Sequence, residues 1–181
     1  FLMTHVITIN MGYAATYVAA MAGIISLACS LFKPEKENKE LYKTLNSTMY
    51  GTIAFAMFFS FIGTILGGLW ADDSWGRFWG WDPKENGALL IVIWCAIILH
   101  SKMAGIARSR GLALLSIFGA SVTTWSWFGV NQLSIGLHSY GFTSQAAFYV
   151  MLAVGIFTGL SLIGLLPFFR WNKPKKASRT K

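Results

Sequence analysis

The chain has 181 residues, of which 55% are hydrophobic and only 12% carry a formal charge. That charged share is about half of the usual value for a soluble domain, which excludes a disordered chain and argues against a soluble globular domain. The net charge of +8 has to be interpreted from its distribution along the chain. The two cysteines form no CxxC or CxxCH motif, so the chain has no thiol-redox motif and no covalent haem site of its own.

Four long stretches contain no Asp, Glu, Lys or Arg, namely residues 1–32, 44–71, 86–101 and 111–169. About 20 apolar residues cross the hydrocarbon core as a helix, so the last stretch is long enough for two spans with a glycine-containing break between them. The sequence therefore predicts an all-α, polytopic integral membrane bundle with an external Trp-rich loop. Helices are predicted near residues 6–32, 46–70, 84–106, 111–131 and 145–170.

The basic residues lie almost entirely on one side of this predicted bundle. All of them except Arg77 and Lys84 follow the first helix, follow the third helix or lie in the C-terminal tail. The positive-inside rule assigns that side to the cytoplasm, so the chain starts outside and ends in a basic cytoplasmic tail at 171–181. Because orientation explains the positive charge, we predict a lipid bilayer as partner and no nucleic acid.

The external loop between the second and third predicted helices is rich in tryptophan. Trp70, Trp75, Trp79 and Trp81 make up half of the eight tryptophans in the chain. Tryptophan gathers at membrane interfaces in any case, but a cluster of this size also offers an apolar, flat platform for a planar ligand. The pattern alone supports both interpretations equally. If this stretch is helical, Trp75, Phe78 and Trp79 share one face.

The segment Asp82-Pro83-Lys84-Glu85 has the pattern of a helix N-terminus. Asp is a favoured N-cap, Pro is favoured at the first helical position, and Glu at the third position completes a capping box. We therefore predict that both acids fix the start of the third helix, and we assign them no catalytic work. Arg77 and Lys84, the outer cations, either pair with nearby acids or bind the carboxylates of an anionic ligand.

The three histidines fall into two groups. His5 lies at the outer start of the first helix and His138 in the outer break, both on the side of the Trp-rich loop. A lone histidine near an interface is usually structural, but two imidazoles can bind one haem iron from opposite faces of the ring. His100 follows Pro83 by 17 residues, which is about 26 Å along a helix. If His100 is a ligand, its site is a separate one.

Two further patterns indicate helix packing. Gly155 and Gly159 form a GxxxG pair in the fifth predicted helix, and a stripe of mainly small and polar residues follows helical spacing in the fourth. That stripe consists of Ser116, Ala120, Thr123, Trp127 and Asn131.

These motifs resemble a known family. Residues 75–85, WGRFWGWDPKE, are similar to the tryptophan-rich (WWD) motif of the haem-handling membrane proteins of cytochrome c biogenesis, most closely the cytochrome c synthetase of System II. His5 with the following Gly12-Tyr-Ala resembles the family's helix that carries the first external His. Residues 136–142, GLHSYGF, resemble the segment that carries the second external His. His100 falls where the family has a His within the membrane. DPKEN also resembles the large haem lyase of the multi-component pathway, but GLHSYGF argues against that protein.

The resemblance implies a function. Such proteins move haem b from the cytoplasmic side through the membrane, bind it against the Trp-rich segment, and present it to the CxxCH motif of apocytochrome c. His5 and His138 are then the external axial ligands, and His100 is one of a pair of transmembrane ligands. The remaining cofactor-binding residues implied are Trp75, Trp79, Trp81 and Asp82.

The resemblance also implies what this chain does not contain. The family has further helices upstream and a partner or fused subunit that receives apocytochrome c, and synthetase activity is expected only with them. We therefore expect residues 1–181 to be a single transmembrane assembly domain, the C-terminal part of a longer chain, in a bacterial inner membrane or a thylakoid.

Two other functions stay open at this point. A b-type haem electron-transfer subunit usually places His pairs inside helices, whereas this chain has no two histidines at one depth within the predicted bilayer. In a transporter or scaffold without haem, the Trp-rich loop would serve only as an anchor at the membrane interface.

Overall fold

The structure, a computed structural model, describes residues 2–139, 141, 143–167, 169 and 171, and its regular elements there are all helical. They are α1 (Leu2–Phe32), α2 (Lys39–Trp75), α3 (Pro83–Met103), α4 (Ser109–Thr124) and α5 (Ser144–Ile163). The α4 helix continues through a π turn, Trp125–Gly129, and a 3₁₀ turn, Val130–Leu133. Counting that continuation, five helices among the described residues are long and apolar enough to cross a membrane. This confirms the predicted all-α membrane bundle.

Helix α1 packs against both α2 and α4. A Cβ at Gly12 would lie 2.4 Å from the Ser60 hydroxyl, so α1 and α2 approach closely there. On the other side, the Thr16 and Thr123 hydroxyls form a buried hydrogen bond of 2.8 Å between α1 and α4. Small and hydroxylated residues are the usual means of helix association in a membrane. The packing interpretation of the α4 stripe is therefore confirmed at Thr123.

The predicted bounds of the second helix are wrong at both ends. It begins at Lys39 rather than near 46. The prediction placed the start at the apolar run, whereas the first turns of the helix carry charged residues that precede this run. It ends at Trp75 rather than near 70, because no Gly or Pro lies between Trp70 and Gly76. Gly76 adopts φ +71° and its backbone N–H donates to the Asp72 carbonyl, which is a left-handed helix end. Trp70 and Trp75 therefore belong to α2 and not to the loop.

The ends of α3 and α5 also differ from the prediction. Helix α3 ends at Met103 rather than near 106, shortly before Gly105 at φ +72°. Helix α5 ends at Ile163 rather than near 170. Residues 168 and 170, and all of the predicted tail at 171–181 except Trp171, lie outside the described residues.

The predicted GxxxG packing pair has no partner among the described residues. A Cβ at Gly155 or at Gly159 would meet no atom within 4 Å. Helix α5 instead contacts α4 through hydroxyl groups, as in the 3.0 Å hydrogen bond between Ser121 and Thr158.

Successive helices run in alternating directions, which gives the bundle two chemically different ends. The start of α1, the end of α2, the start of α3 and the end of the α4 continuation surround one cavity, and we call this the tryptophan end. A cavity of about 480 Å³ at the opposite end is lined in part by Lys39, Lys43 and Lys102. Lys39, Lys43 and Lys102 thus share an end, as the charge pattern predicts. Which end faces the cytoplasm stays a prediction.

Candidate functional site

His5 lies in the second turn of α1, with its imidazole against helix α2. Its Nδ1 is 2.8 Å from the Gly63 carbonyl oxygen. Because a carbonyl oxygen only accepts hydrogen bonds, Nδ1 carries a proton, and in the neutral ring Nε2 keeps its lone pair. A Cβ at Gly67 would lie only 2.6 Å from Cε1 of this ring. The absence of a side chain at Gly67 therefore makes room for the imidazole.

The start of α3 is the capping box that the sequence predicts. The backbone N–H of Lys84 donates to Asp82 Oδ1 at 2.9 Å, and the backbone N–H of Asp82 donates to Glu85 Oε2 at 3.2 Å. Pro83 occupies the first position of the helix. The predicted structural role of both acids is confirmed. Asp82 is only 4% exposed, although a lone N-cap does not require such burial.

Asp82 has a second role that the sequence did not indicate. Its Oδ2 accepts a 2.7 Å hydrogen bond from the Leu137 backbone N–H, and its Oδ1 lies 3.1 Å from Nδ1 of His138. Gly136 makes this approach possible, because it adopts φ +86° and a Cβ there would lie 2.0 Å from Oδ2. The carboxylate thus joins the loop before α5 to the start of α3.

Hydrogen bonding keeps Asp82 ionised despite its burial. Burial raises the pKa of this carboxyl, but the amide of Lys84, the nearby His138 and the amide of Leu137 together outweigh burial and lower its pKa below the ordinary value. An ionised carboxylate accepts hydrogen bonds only, so His138 donates through Nδ1, and in the neutral ring the lone pair lies on Nε2.

The His138 ring also packs against an aromatic pair at the end of α2. The Trp75 ring lies 5.1 Å from it, centroid to centroid, at an interplanar angle of 84°. Trp75 in turn lies 4.7 Å from Trp70, also edge to face. Edge-to-face contacts of this kind favour one ring orientation. The imidazole is therefore oriented by a carboxylate at Nδ1 and by an indole on its side.

His5 and His138 line a single cavity of about 340 Å³ at the tryptophan end. This volume lies in the range of small-molecule sites, about 300–1,000 Å³. The walls are mainly apolar and aromatic, with a few polar groups. Besides the two imidazoles, the aromatic residues of the lining are Tyr13, Trp70, Trp79, Trp127 and Phe128.

The Trp-rich loop is not helical between residues 76 and 82, so Trp75, Phe78 and Trp79 do not form the helical face considered above. Trp79 lines the cavity. Trp81 packs edge to face on Trp79 at 6.1 Å, but it is 72% exposed and is not part of the lining. Of the four implied platform residues, one lines the cavity, Trp75 and Asp82 contact His138, and Trp81 lies outside.

The two cations that are predicted to lie outside behave differently. Arg77 donates to Glu85 Oε1 at 3.2 Å, which is the predicted pairing with a nearby acid. Lys84 instead lines the cavity and donates from Nζ to the Trp127 carbonyl oxygen and, at 3.0 Å, to Asn131 Oδ1. Its hydrogen-bond partners are thus neutral oxygen atoms and not carboxylates.

Trp127 and Asn131 line the cavity, although their place in the α4 stripe predicted only helix packing. They lie in the π and 3₁₀ turns that continue α4. π turns occur often at functional sites. The sequence feature that could have indicated their role is that the α4 stripe continues towards His138.

His100 does not belong to this cavity. It lies near the end of α3, close to Lys102, which lines the cavity opposite the tryptophan end, and its imidazole is exposed. Its Nδ1 lies 2.7 Å from the carbonyl oxygen of Ala96, one turn earlier in the same helix. The structure therefore separates His100 from His5 and His138.

A family model described as Cytochrome C assembly protein matches residues 1–138. The chain belongs to this family. The matched residues include both cavity histidines and the whole Trp-rich loop.

Similar proteins include three that are named cytochrome c biogenesis protein CcsA. The one from Chlamydomonas reinhardtii is 34% identical over 145 residues, which covers 78% of this chain and 40% of the relative. The one from Prochlorococcus marinus is 30% identical over 169 residues (77% and 54%), and the one from Mesostigma viride is 39% identical over 111 residues (61% and 36%). The chain thus spans about half or less of the length of these relatives. No solved structure matches.

Proposed function

We propose that this membrane protein handles haem in the biogenesis of c-type cytochromes. In this proposal haem b is the cargo, bound in the cavity at the tryptophan end and then presented to the CxxCH motif of apocytochrome c. The observation that carries the proposal is the convergence of His5 and His138 on one cavity, each with Nδ1 bound and Nε2 left for a ligand. Membership of the cytochrome c assembly family supports it.

Both imidazoles have the supports that metal-binding histidines usually have. Such a histidine donates its other ring N–H to a carbonyl or a carboxylate, which fixes the tautomer and the ring orientation. Gly63 supplies the carbonyl for His5, and Asp82 supplies the carboxylate for His138. Two neutral imidazoles, offered through Nε2, are a common axial pair for haem iron.

The cavity walls suit a flat, apolar ligand. Trp79, Tyr13 and Trp127 line the space between the helices, and the indole and phenol rings can pack on a macrocycle and exclude water from it. The chemistry at the haem edge is then an addition in which each cysteine S–H adds across a vinyl C=C bond, forming C–S and C–H bonds without net oxidation. We assign no acid–base residue to this step, because positioning the reactants provides much of such a rate enhancement.

The wider assignment follows from the charge pattern and the relatives. The tryptophan end faces away from the cytoplasm and the C-terminus faces the cytoplasm, in a bacterial inner membrane or a thylakoid. Residues 1–181 act as one assembly domain of a longer polypeptide, and attachment of haem requires the rest of that polypeptide or a partner subunit. His100 serves a separate haem position nearer the cytoplasm, with a second ligand from outside this chain.

The test is the absorption spectrum of the intact polypeptide purified in detergent, with a pyridine haemochrome assay, for the unaltered protein and for His138→Ala. The proposal predicts haem b with a bis-imidazole spectrum that His138→Ala abolishes or makes labile. A folded protein without haem under haem-replete expression contradicts it and favours a scaffold. Haem that is retained in His138→Ala and is rapidly reduced by quinol favours an electron-transfer subunit.

A further inference from the structure

Lys84 is a cation on the wall of the cavity that contains the two imidazoles. It lies in the first turn of α3, is half-buried, and reaches the end of the α4 continuation. Its Nζ donates to the Trp127 carbonyl and to Asn131 Oδ1. An ammonium group has three N–H donors, so these two bonds leave one donor for another partner.

The acidic side chains closest in sequence have other hydrogen-bond partners. Glu85 accepts from the Gly80 and Asp82 amides and from Arg77. Asp82 accepts from the Lys84 and Leu137 amides and contacts His138. Arg77, the other cation of this end, is paired with Glu85. The cavity wall therefore presents a positive charge whose hydrogen bonds, among the described residues, go to neutral oxygen atoms.

We infer that Lys84 is the anchor of a carboxylate-binding subsite in this cavity, and that the ligand group it takes is a propionate of haem. The inference rests on the proposed function and deepens it. A charge-assisted hydrogen bond in a partly desolvated wall is among the stronger polar interactions. A carboxylate would thus complete the third donor of Lys84 and neutralise its charge.

The subsite would give the cargo an orientation that two axial ligands cannot give. His5 and His138 would fix the iron and the plane of the ring, but they leave rotation about the axis between them free. Haem carries its propionates along one edge and its vinyl groups away from that edge. A carboxylate anchored at Lys84 therefore selects which edge enters the cavity and leaves the vinyl groups for the incoming thiols. Lys84 is accordingly a positioning residue.

The test compares two ligands, ferric haem and its dimethyl ester, whose propionates carry no charge. Each is titrated into the intact polypeptide, purified in detergent and freed of haem, with the Soret band as readout. The unaltered protein is expected to bind haem at least about tenfold more tightly than the ester, which is typical of one hydrogen bond to a charged group. Lys84→Met should reduce this ratio to about one while the bis-imidazole spectrum remains, and Lys84→Arg should restore it.

The control is Lys102→Met, which removes a lysine from the other end of the same helix and should leave the ratio unchanged. Equal affinities of the unaltered protein for haem and ester, both with bis-imidazole spectra, overturn the subsite and leave the proposed function intact. Failure to bind either ligand with that spectrum overturns the proposed function itself. If Lys84 only binds the carbonyl end of α4, Lys84→Met lowers stability but leaves the ratio unaltered. The ligand comparison in the unaltered protein decides the matter even if Lys84→Met does not fold.

Discussion

Oδ1 of Asp82 lies 3.1 Å from Nδ1 of His138, although the two residues are 56 positions apart in the chain. The same carboxylate caps helix α3 through the amide of Lys84. One buried group therefore fixes both the start of a helix and the orientation of an imidazole on the cavity wall. This relationship ties the position of His138 to the Trp-rich loop that precedes Asp82.

The first prediction concerns this carboxylate. Asp82→Asn keeps the shape of the side chain but removes the negative charge that faces His138. Loss of such a supporting partner typically weakens metal affinity about 10–100-fold, so we expect a haem affinity lower by that factor in a Soret titration. Asp73→Asn is the control, because Asp73 is exposed at the end of α2. Equal affinities of the two variants would refute the supporting role of Asp82.

The second prediction concerns pH. The pKa of Asp82 is lowered in the folded protein, so the ionised group stabilises the fold above its ordinary pKa. That stabilisation is lost as the pH falls from the ordinary pKa through the lowered one. The difference in Tm between the unaltered protein and Asp82→Asn should therefore be constant near neutral pH and shrink towards zero in acid. The difference cancels the contributions of the groups that the two proteins share. A difference in Tm that grows on acidification would contradict the predicted direction of the pH dependence.

The third prediction concerns the room beside His5. An alanine at Gly67 would bring a methyl group within 2.6 Å of the imidazole, so the ring must move away from Gly63. We expect Gly67→Ala to weaken haem binding and to alter the bis-imidazole spectrum. Gly51→Ala lies in the same helix and meets nothing within 4 Å, so it should bind haem as the unaltered protein does. A normal spectrum for Gly67→Ala would argue that the His5 position is not needed.

The fourth prediction concerns Glu85, whose hydrogen bonds join the Trp-rich loop to the start of α3. Glu85 accepts hydrogen bonds from the Gly80 and Asp82 amides and pairs with Arg77, and its side chain is only 10% exposed. Glu85→Ala leaves these donors without a partner, which should cost about 1–3 kcal/mol of stability. Amide hydrogen exchange should rise in residues 78–82 and not in α1. Glu40→Ala, at an exposed surface pair, is the control, and equal exchange in both variants contradicts the role.

The parts of the fold that the sequence predicted are those that depend on local or compositional physics. The number of spans follows from apolar length, and the capping box at Asp82 and Glu85 involves residues only three apart. The end of α2 was also readable in principle, because Gly76 is the first residue after Trp70 that favours a left-handed helix end. The error arose because the Trp-rich segment was treated as one loop.

The parts of the site that the sequence did not predict depend on contacts between distant segments. Nothing local indicates that Asp82 accepts from Leu137, or that His5 lies against Gly67. Lys84 was predicted to be an outer cation. Its position on the cavity wall depends on its contact with Trp127 in the π turn at Trp125–Gly129, and no local sequence pattern predicted that turn. The grouping of His5 with His138 was predicted, because topology alone places both at one end of the bundle.

The central claim is that His5 and His138, and not His100, bind the haem of the tryptophan end. The most direct measurement is the haem spectrum and affinity of His5→Ala, His138→Ala and His100→Ala, each with and without added imidazole. The account predicts that the first two variants lose the bis-imidazole spectrum and that added imidazole restores it. Their haem affinity should fall by more than the factor of about 10–100 that is expected for loss of a supporting residue. His100→Ala should keep the spectrum of this site. Equal losses in all three variants, or no loss in His5→Ala and His138→Ala, would contradict the account.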